Sequence, residues 1–245
     1  MKLKNIQAYC CNTNEKEELQ QHIKKSFSTK PPIRILDLGC GTGIHTSFLS
    51  KEFRKSKIEA VNVPGELIEY AMKENNGQNI NYQAIPFEQY ITKIKFDFIL
   101  MSHVLQYVKS PIHDFVSKAL SLLVLNGQLW IVQHTKKGMA EILKHQEFFL
   151  SDQFKVWKTF EDYEIIIKSI VDKEYLISTA YLNTSWNPIN FKEPTEEDKR
   201  RLEFIFCLNE AFDQQSTEFR VNLAKYNKKG RISHPNKILK IKRIK

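Results

Sequence analysis

The sequence predicts an α/β fold: a doubly wound, seven-stranded, mostly parallel sheet with a helical insertion before the last strand. Three observations carry that expectation. Apolar runs of strand length alternate with helical patterns through residues 34–134, the spacing that strand–helix–strand units require. The run Phe96–Ser102, FDFILMS, reads as a strand buried on both faces. The run Arg34–Leu38 stops at three glycines in five positions, Gly39-Cys40-Gly41-Thr42-Gly43, where a helical pattern begins.

Taken in order, residues 15–28 form an amphipathic helix with Leu19, Ile23 and Phe27 on one stripe, ended by Pro31-Pro32. Strand Arg34–Leu38 is followed by a helix from Gly43 to Phe53, with Ile44, Phe48 and Leu49 inward. Strand Lys57–Val63, the Pro64-Gly65 turn and a helix opening at Glu66 come next. Strands at 79–85 and 96–102 precede a helix over 111–124 with proline in its first turn, ended by Asn126-Gly127, and a fifth strand at 128–134. The second half is less regular: a helix at 160–170, a sixth strand at 174–182, a helix at Glu196–Phe212 capped by Thr195, and a final strand at 236–244. The expected organisation is a single domain over 1–245, with an N-terminal helical cap at 1–30 and a substrate-side insertion at 183–235.

The chain of 245 residues buries a core without disulfides or metals. No apolar run approaches the roughly 20 residues that span a bilayer, and the N-terminal residues carry no secretory pattern. Cys10, Cys11, Cys40 and Cys207 form no CxxC pair, and His113, His134 and His145 show no ligand spacing, so no metal and a reducing cytoplasm are expected. The net charge of +9 is concentrated after Phe219, where there are ten Lys/Arg and no acid. Such a tail suits nucleic acid or an acidic partner. With only Phe219 and Tyr226 interleaved, it reads better as a solvated face and a lysine-edged strand.

Glycines between a strand and a helix let the backbone turn tightly and approach a ligand. The spacing here is GxGxG, not the GxGxxG of dinucleotide sites, and Asp37 stands two residues before Gly39. A carboxylate there repels a pyrophosphate and suits a ligand bearing an ammonium group. ILDLGCGTG (35–43), FDFILMSHVLQYV (96–108) and LLVLNGQLWIV (122–132) together resemble the class I S-adenosylmethionine-dependent methyltransferases. The resemblance implies that Asp37 sits near the methionine amino group, that Gly39, Gly41 and Gly43 pass under the methionine and ribose, and that the backbone at Ser102 and His103 borders the sulfonium. Two departures stand out. Asn62 occupies the place of the family's ribose-binding acid, which lowers ribose affinity by about 1 kcal/mol. Ala84 and Ile85 stand where many members carry an aspartate, leaving the adenine to apolar contact and backbone near Phe87, with Glu88 beside it.

SHVLQYVKSPIHDFVSKALSLL (102–123) and KGRISHPNKILKIKR (229–243) also resemble histamine N-methyltransferase and its relatives. This implies substrate-binding roles for Asn236, for Tyr107, and for Glu15 or Glu17, with Lys16 equally placed by strict counting, whereas Gln106 replaces a pocket tyrosine and the stretch 136–149 lacks the pocket tryptophans. His103 is the best-placed general base, which an amine acceptor needs because it must react neutral; Tyr107 lies beside it. His45, at a helix start, reads as a packing residue. The expected function is methyl transfer from S-adenosylmethionine to a small-molecule amine. The alternatives are a catalytically weak binding partner on the same fold, favoured by Asn62, and an RNA-directed methyltransferase using the basic tail.

Overall fold

The computed structural model describes residues 3–75, 77–136, 159–190, 193–205, 213, 217, 232–233 and 235–245. Seven strands form one sheet in the order β3-β2-β1-β4-β5-β9-β6. These are β1 (Arg34–Leu38), β2 (Lys57–Asn62), β3 (Ile80–Ala84), β4 (Phe96–Ser102), β5 (Leu123–His134), β6 (Tyr175–Leu182) and β9 (Asn236–Arg243). The first five pair in parallel, and β9 runs antiparallel to both β5 and β6. This is the expected doubly wound sheet. Its order reverses between β1 and β4, and in such sheets ligands bind outside the strand carboxyl ends at that point.

Helices cover both faces, as the continuous burial of β1 from Ile35 to Leu38 demands. On one side Leu36 and Leu38 join Ile99, Met101 and Leu129 under α5 (Ile112–Ser121) and α6 (Phe160–Ile170). On the other, Ile35, Phe98, Trp130 and Ile238 meet Leu19 and Ile23 of the first predicted helix, α2 (Glu15–Ser26), Phe27 at its C-cap, and Leu49 of α3 (Ile44–Glu52). The ring of Phe27 lies 4.8 Å from Phe98 and 6.0 Å from Trp130. Burying one such side chain stabilises by roughly 1.5–3 kcal/mol, so this stripe anchors α2 on the sheet.

An additional helix, α1 (Leu3–Cys11), precedes α2. It packs on α7 (Glu196–Ile205), where Asn5 Nδ2 donates to Glu203 Oε2 at 3.0 Å. Asparagines continue the stitching: Asn12 Nδ2 donates to Glu197 Oε1 at 2.6 Å, and Asn14 Oδ1 accepts from the Ser185 amide at 2.7 Å. Ser185 lies in the two-residue strand β7 (Ser185–Trp186), which pairs with β8 (Ile232–Ser233). The N-terminal helices and the segment after β6 thus hold one another. Thr195 caps α7 as expected, accepting from the Asp198 amide at 3.1 Å.

Three expectations change. Helix α5 ends at Ser121, and Asn126-Gly127 lies inside β5 instead of closing a helix. Asn126 takes φ +65°, and the β4–β5 register shifts between Phe96 and Phe98, so this dipeptide makes a bulge. Strand β9 is interior, between β5 and β6, so its lysines do not guard an edge. Instead Lys240 Nζ lies 3.9 Å from the Trp130 ring centroid and Lys237 Nζ 4.9 Å from that of Tyr181. The predicted helix beyond Ile205, the stretch 137–149 with His145, Cys207, and tail residues 219–231 lie outside the described residues.

Candidate active site

The site is built where β1 hands the chain to α3. The amides of Gly39 and Cys40 both donate to the Val61 carbonyl of β2, at 2.7 and 3.2 Å, folding the loop over the neighbouring strand. Gly39 and Gly41 have φ of +75° and +53°, a region that L side chains avoid. A Cβ on Gly39 would stand 2.4 Å from Val104 Cγ2. A Cβ on Gly41 would meet only the loop's own Gly39 carbonyl, at 4.0 Å. Gly39 is therefore bare for packing, while Gly41 presents bare backbone to open space.

Asp37 is 2% exposed and accepts a 2.5 Å hydrogen bond from Thr46 Oγ1 of α3. Burial pushes its carboxyl up to about 6, against the pull of the Thr46 bond. A buried acid with a single hydroxyl partner is poised to gain from a cationic neighbour. Asn62, at the end of β2, accepts from the Gly41 amide at 3.3 Å and donates to the Val63 carbonyl at 3.2 Å. Its carbonyl thus braces the loop, a role an acid there would also perform. The upstream acid Glu59 is engaged elsewhere, accepting from the Tyr90 hydroxyl.

The resemblance gave the adenine to backbone near Phe87, and the Phe87 side chain itself serves the core. Its ring is buried in the core, 4.9 Å from Phe115, and its carbonyl accepts from Lys118 Nζ at 2.6 Å. Lys118 also takes the Glu88 carbonyl, and the Glu88 carboxylate accepts from Ser110. The apolar ring went inward because the 3-10 turn at Phe87–Gln89 faces α5.

Across the loop, β4 ends at Ser102, and His103 turns into the left-handed region with φ +54° while its amide donates to the Val132 carbonyl at 3.0 Å. This sharp exit places Val104 against Gly39 and swings the His103 ring under α2. There His103 Nε2 lies 2.5 Å from Glu15 Oε1, and His103 Nδ1 is buried with no hydrogen-bond partner. The His103 ring stacks on His134 of β5, with centroids 4.2 Å apart and planes at 33°. His134 Nδ1 in turn lies 2.8 Å from Oδ1 of the fully buried Asn236, its cross-strand partner in β9. His45, the second residue of α3, shares this field. Burial pushes its imidazole down to about 4, with Glu15 opposing and His103 reinforcing the shift.

Of the sequence-predicted residues, Glu15, His103 and Asn236 are therefore gathered around one pair of stacked rings, beside the loop of Asp37, Gly39, Gly41, Gly43 and Asn62. Glu17 points to the exposed side of α2, two residues and half a helical turn from Glu15. Tyr107 lies on the turn after His103 and is 50% exposed. His134 was missed as a site residue: only the β5–β9 register brings it to Asn236, and no single-sequence signal encodes that pairing. Among the described residues, no three His, Cys, Asp or Glu side chains are placed to hold a metal ion.

A glycine loop at the switch point of a 3-2-1-4-5 parallel sheet, with an antiparallel strand beyond it, defines the Rossmann-like class I methyltransferase architecture. Residues 17–166 match the methyltransferase small domain, and the chain belongs to that family. Among curated relatives, malonyl-[acyl-carrier protein] O-methyltransferase of Bacillus cereus is 34% identical over 88 residues, 36% of this chain and 33% of the relative. Ubiquinone biosynthesis O-methyltransferase of Histophilus somni is 28% identical over 157 residues, 60% of this chain and 64% of the relative. Matches to three malonyl-[acyl-carrier protein] O-methyltransferases, that of Bacillus cereus among them, span only 33% to 44% of the relatives' lengths. The plantazolicin methyltransferase BpumL, solved with a monoazolic desmethylPZN analogue and S-adenosylhomocysteine, superposes with a TM-score of 0.59 at 17% identity, covering 93% of this chain and 82% of its own. N-methyltransferase NodS of Bradyrhizobium japonicum, solved with S-adenosylhomocysteine, gives 0.58 at 12%, covering 94% and 87%. At these identities the two structures bear on the fold alone.

Proposed function

We propose that this chain is an S-adenosylmethionine-dependent methyltransferase acting on a small molecule, and that its acceptor is an amine. The observation that carries the reading is the contact between Glu15 and His103, held beside the open backbone of Gly41 through the Val104–Gly39 packing. The loop fits the cofactor: Gly41 leaves space, Asp37 offers a buried carboxylate to an ammonium group, and Asn62 offers an acceptor and a donor to the ribose hydroxyls. When bound, the cofactor supplies a sulfonium methyl group, electrophilic enough for in-line displacement. The protein's share is positioning and proton removal. With Nε2–H directed at the Glu15 carboxylate, His103 keeps a lone pair on its unpartnered Nδ1. As the acceptor nitrogen gains the methyl it gives one proton to that nitrogen, and Glu15 stabilises the imidazolium.

The segment after β6 and the N-terminal cap 1–30 lie over this end of the sheet in the reading, forming the substrate side of one domain. Tyr107, Asn236 and Glu15 would line the acceptor pocket. The free thiols of Cys10, Cys11 and Cys40 suit a reducing cytoplasm. Among the described residues no helix is long and apolar enough to cross a membrane. An RNA acceptor is less favoured, because Lys237 and Lys240 lie on aromatic rings and Arg243 donates to the Leu123 carbonyl.

The test is transfer of labelled methyl from S-adenosylmethionine to a panel of small amines, alcohols, thiols and RNA. Label on an amine, lost with His103→Ala, supports the proposal. Label only on RNA, or none on any acceptor, overturns it.

A further inference from the structure

The proposed cofactor ends in an amino acid, with an ammonium group and a carboxylate on one carbon. Asp37 answers the ammonium. Asp37 and Glu15 are both acids, so a carboxylate brought beside them is repelled unless a cation meets it.

Helix α2 supplies that cation. It lies along α3 and runs in the same direction. Toward their C-terminal ends, Lys24 Nζ lies 3.0 Å from Glu52 Oε2 and 5.7 Å from the centre of the Phe48 ring. Lys16 and Lys24 lie on one i, i+4, i+8 row of α2 with Gln20 between them, about 12 Å apart along the axis. A step of that length back along α3 from Phe48 and Glu52 ends where the glycine loop enters the helix. His45 agrees with this placement. Burial pushes its imidazole down to about 4; Glu15 opposes the shift, and His103 and Lys16 add to it. Lys16 is half-buried and, unlike Lys24, makes no ion pair among the described residues. His45 Nδ1 is buried with no hydrogen-bond partner. The next residue, Thr46, gives its hydroxyl to Asp37 at 2.5 Å. The ammonium site and Lys16 therefore meet at the first turn of α3.

We infer, resting on the methyltransferase reading, that Lys16 receives the carboxylate of the cofactor's amino-acid end while Asp37 receives its ammonium, with His45 as the hydrogen-bonding partner of the same carboxylate. The N-terminus of α3 adds partial positive charge on the same side. Adjacent residues of a helix do not face each other, so Glu15 stays with His103 and Lys16 is left for the ligand. By resemblance Lys16 has the same claim as Glu15 to an acceptor amine. A cation repels a protonated amine, and a carboxylate is the group its charge fits.

Calorimetric titration of the full chain with two ligands tests this: S-adenosylhomocysteine, and its decarboxylated analogue S-adenosyl-3-thiopropylamine, which keeps the ammonium group. The unmodified chain is expected to prefer S-adenosylhomocysteine by about tenfold, the worth of one hydrogen bond to a charged group. Lys16→Met should remove that preference, weakening S-adenosylhomocysteine and leaving the analogue unchanged. Lys16→Arg should keep it, and His45→Phe should reduce it. Asp37→Asn should weaken both ligands alike, because both carry the ammonium. Equal affinity of the two ligands for the unmodified chain, or a Lys16→Met chain that loses both equally or keeps the preference, overturns the inference. The unmodified chain alone can overturn it, even where a variant does not fold. Binding of S-adenosylhomocysteine without the preference counts against Lys16 only, whereas no binding of either ligand overturns the methyltransferase reading and this assignment with it.

Discussion

The glycine loop and the imidazole cluster touch through Val104 and Gly39, yet they are built on opposite principles. The loop is backbone: positive φ at Gly39, Gly41 and Gly43, and a single buried acid behind them. Its residues are contiguous apart from Asn62. The cluster is side chain: Glu15, His103, His134 and Asn236 come from α2, the turn after β4, β5 and β9 and share no stretch of sequence. A backbone site fails by clash, whereas a side-chain site fails by loss of a proton partner with the fold intact. The consequences of mutation should therefore separate cleanly.

The largest effect is expected in the cluster. His103→Ala should lower turnover by about 10²–10⁴, the usual contribution of general-base catalysis, while S-adenosylhomocysteine binding by calorimetry changes little. A parallel loss of cofactor affinity would merge the two regions into one. In the loop, Gly39→Val places a Cβ 2.4 Å from Val104 Cγ2 at φ +75°. Strain and overpacking should cost about 2–4 kcal/mol in denaturant unfolding. Adding Val104→Ala should return the packing share and leave the strain, which distinguishes a steric role for Gly39 from a purely conformational one.

Asp37 ties stability to pH. Between the unstructured value of 3.8 and about 6, the folded protein holds a proton that the unfolded chain has released, so stability falls as pH rises through that window. The drop attributable to this one group is roughly 2–3 kcal/mol. Asp37→Asn should remove it, melting higher than the unmodified protein at pH 7.5, and should bind S-adenosylhomocysteine more weakly. Wild-type affinity should rise as pH passes upward through about 6, since the carboxylate is the form that meets an ammonium. Thermal scans and calorimetry at pH 5 and 7.5 check both signs.

Asn62→Asp should tighten cofactor binding about fivefold, by restoring a charge-assisted ribose contact worth about 1 kcal/mol. No change would mean that the Gly41 contact, which either residue can make, is all this position does. The smallest effect is expected at Lys240, far from both regions. Lys240→Ala should lower stability by about 0.5–1 kcal/mol through loss of its place over Trp130, leaving cofactor affinity unchanged.

Much of the loop was legible in the sequence and little of the cluster was. ILDLGCGTG encodes strand, turn and helix in adjacent residues, and the apolar runs of β1, β2 and β4 fix a parallel sheet because both faces are buried. Helix α1 was not legible: LKNIQAYCC has no strong apolar stripe and is held by asparagine contacts to a segment almost two hundred residues away. The dipeptide Asn126-Gly127 carries the same signal for a helix end and a strand bulge, and the β4–β5 pairing chose the bulge. Glu15 could not be separated from Glu17 until the buried stripe of Leu19 and Ile23 fixed which side of α2 faces His103. That the Phe87 ring joins the core was not legible, because only the turn at 87–89 aims it at α5. His134 needed the antiparallel register of β9, which no local pattern reports.

Calorimetric titration of the unmodified chain with S-adenosylhomocysteine tests the central claim most directly. One-to-one binding that weakens in Asp37→Asn and persists in His103→Ala is the expected result. No binding heat at millimolar ligand would contradict it.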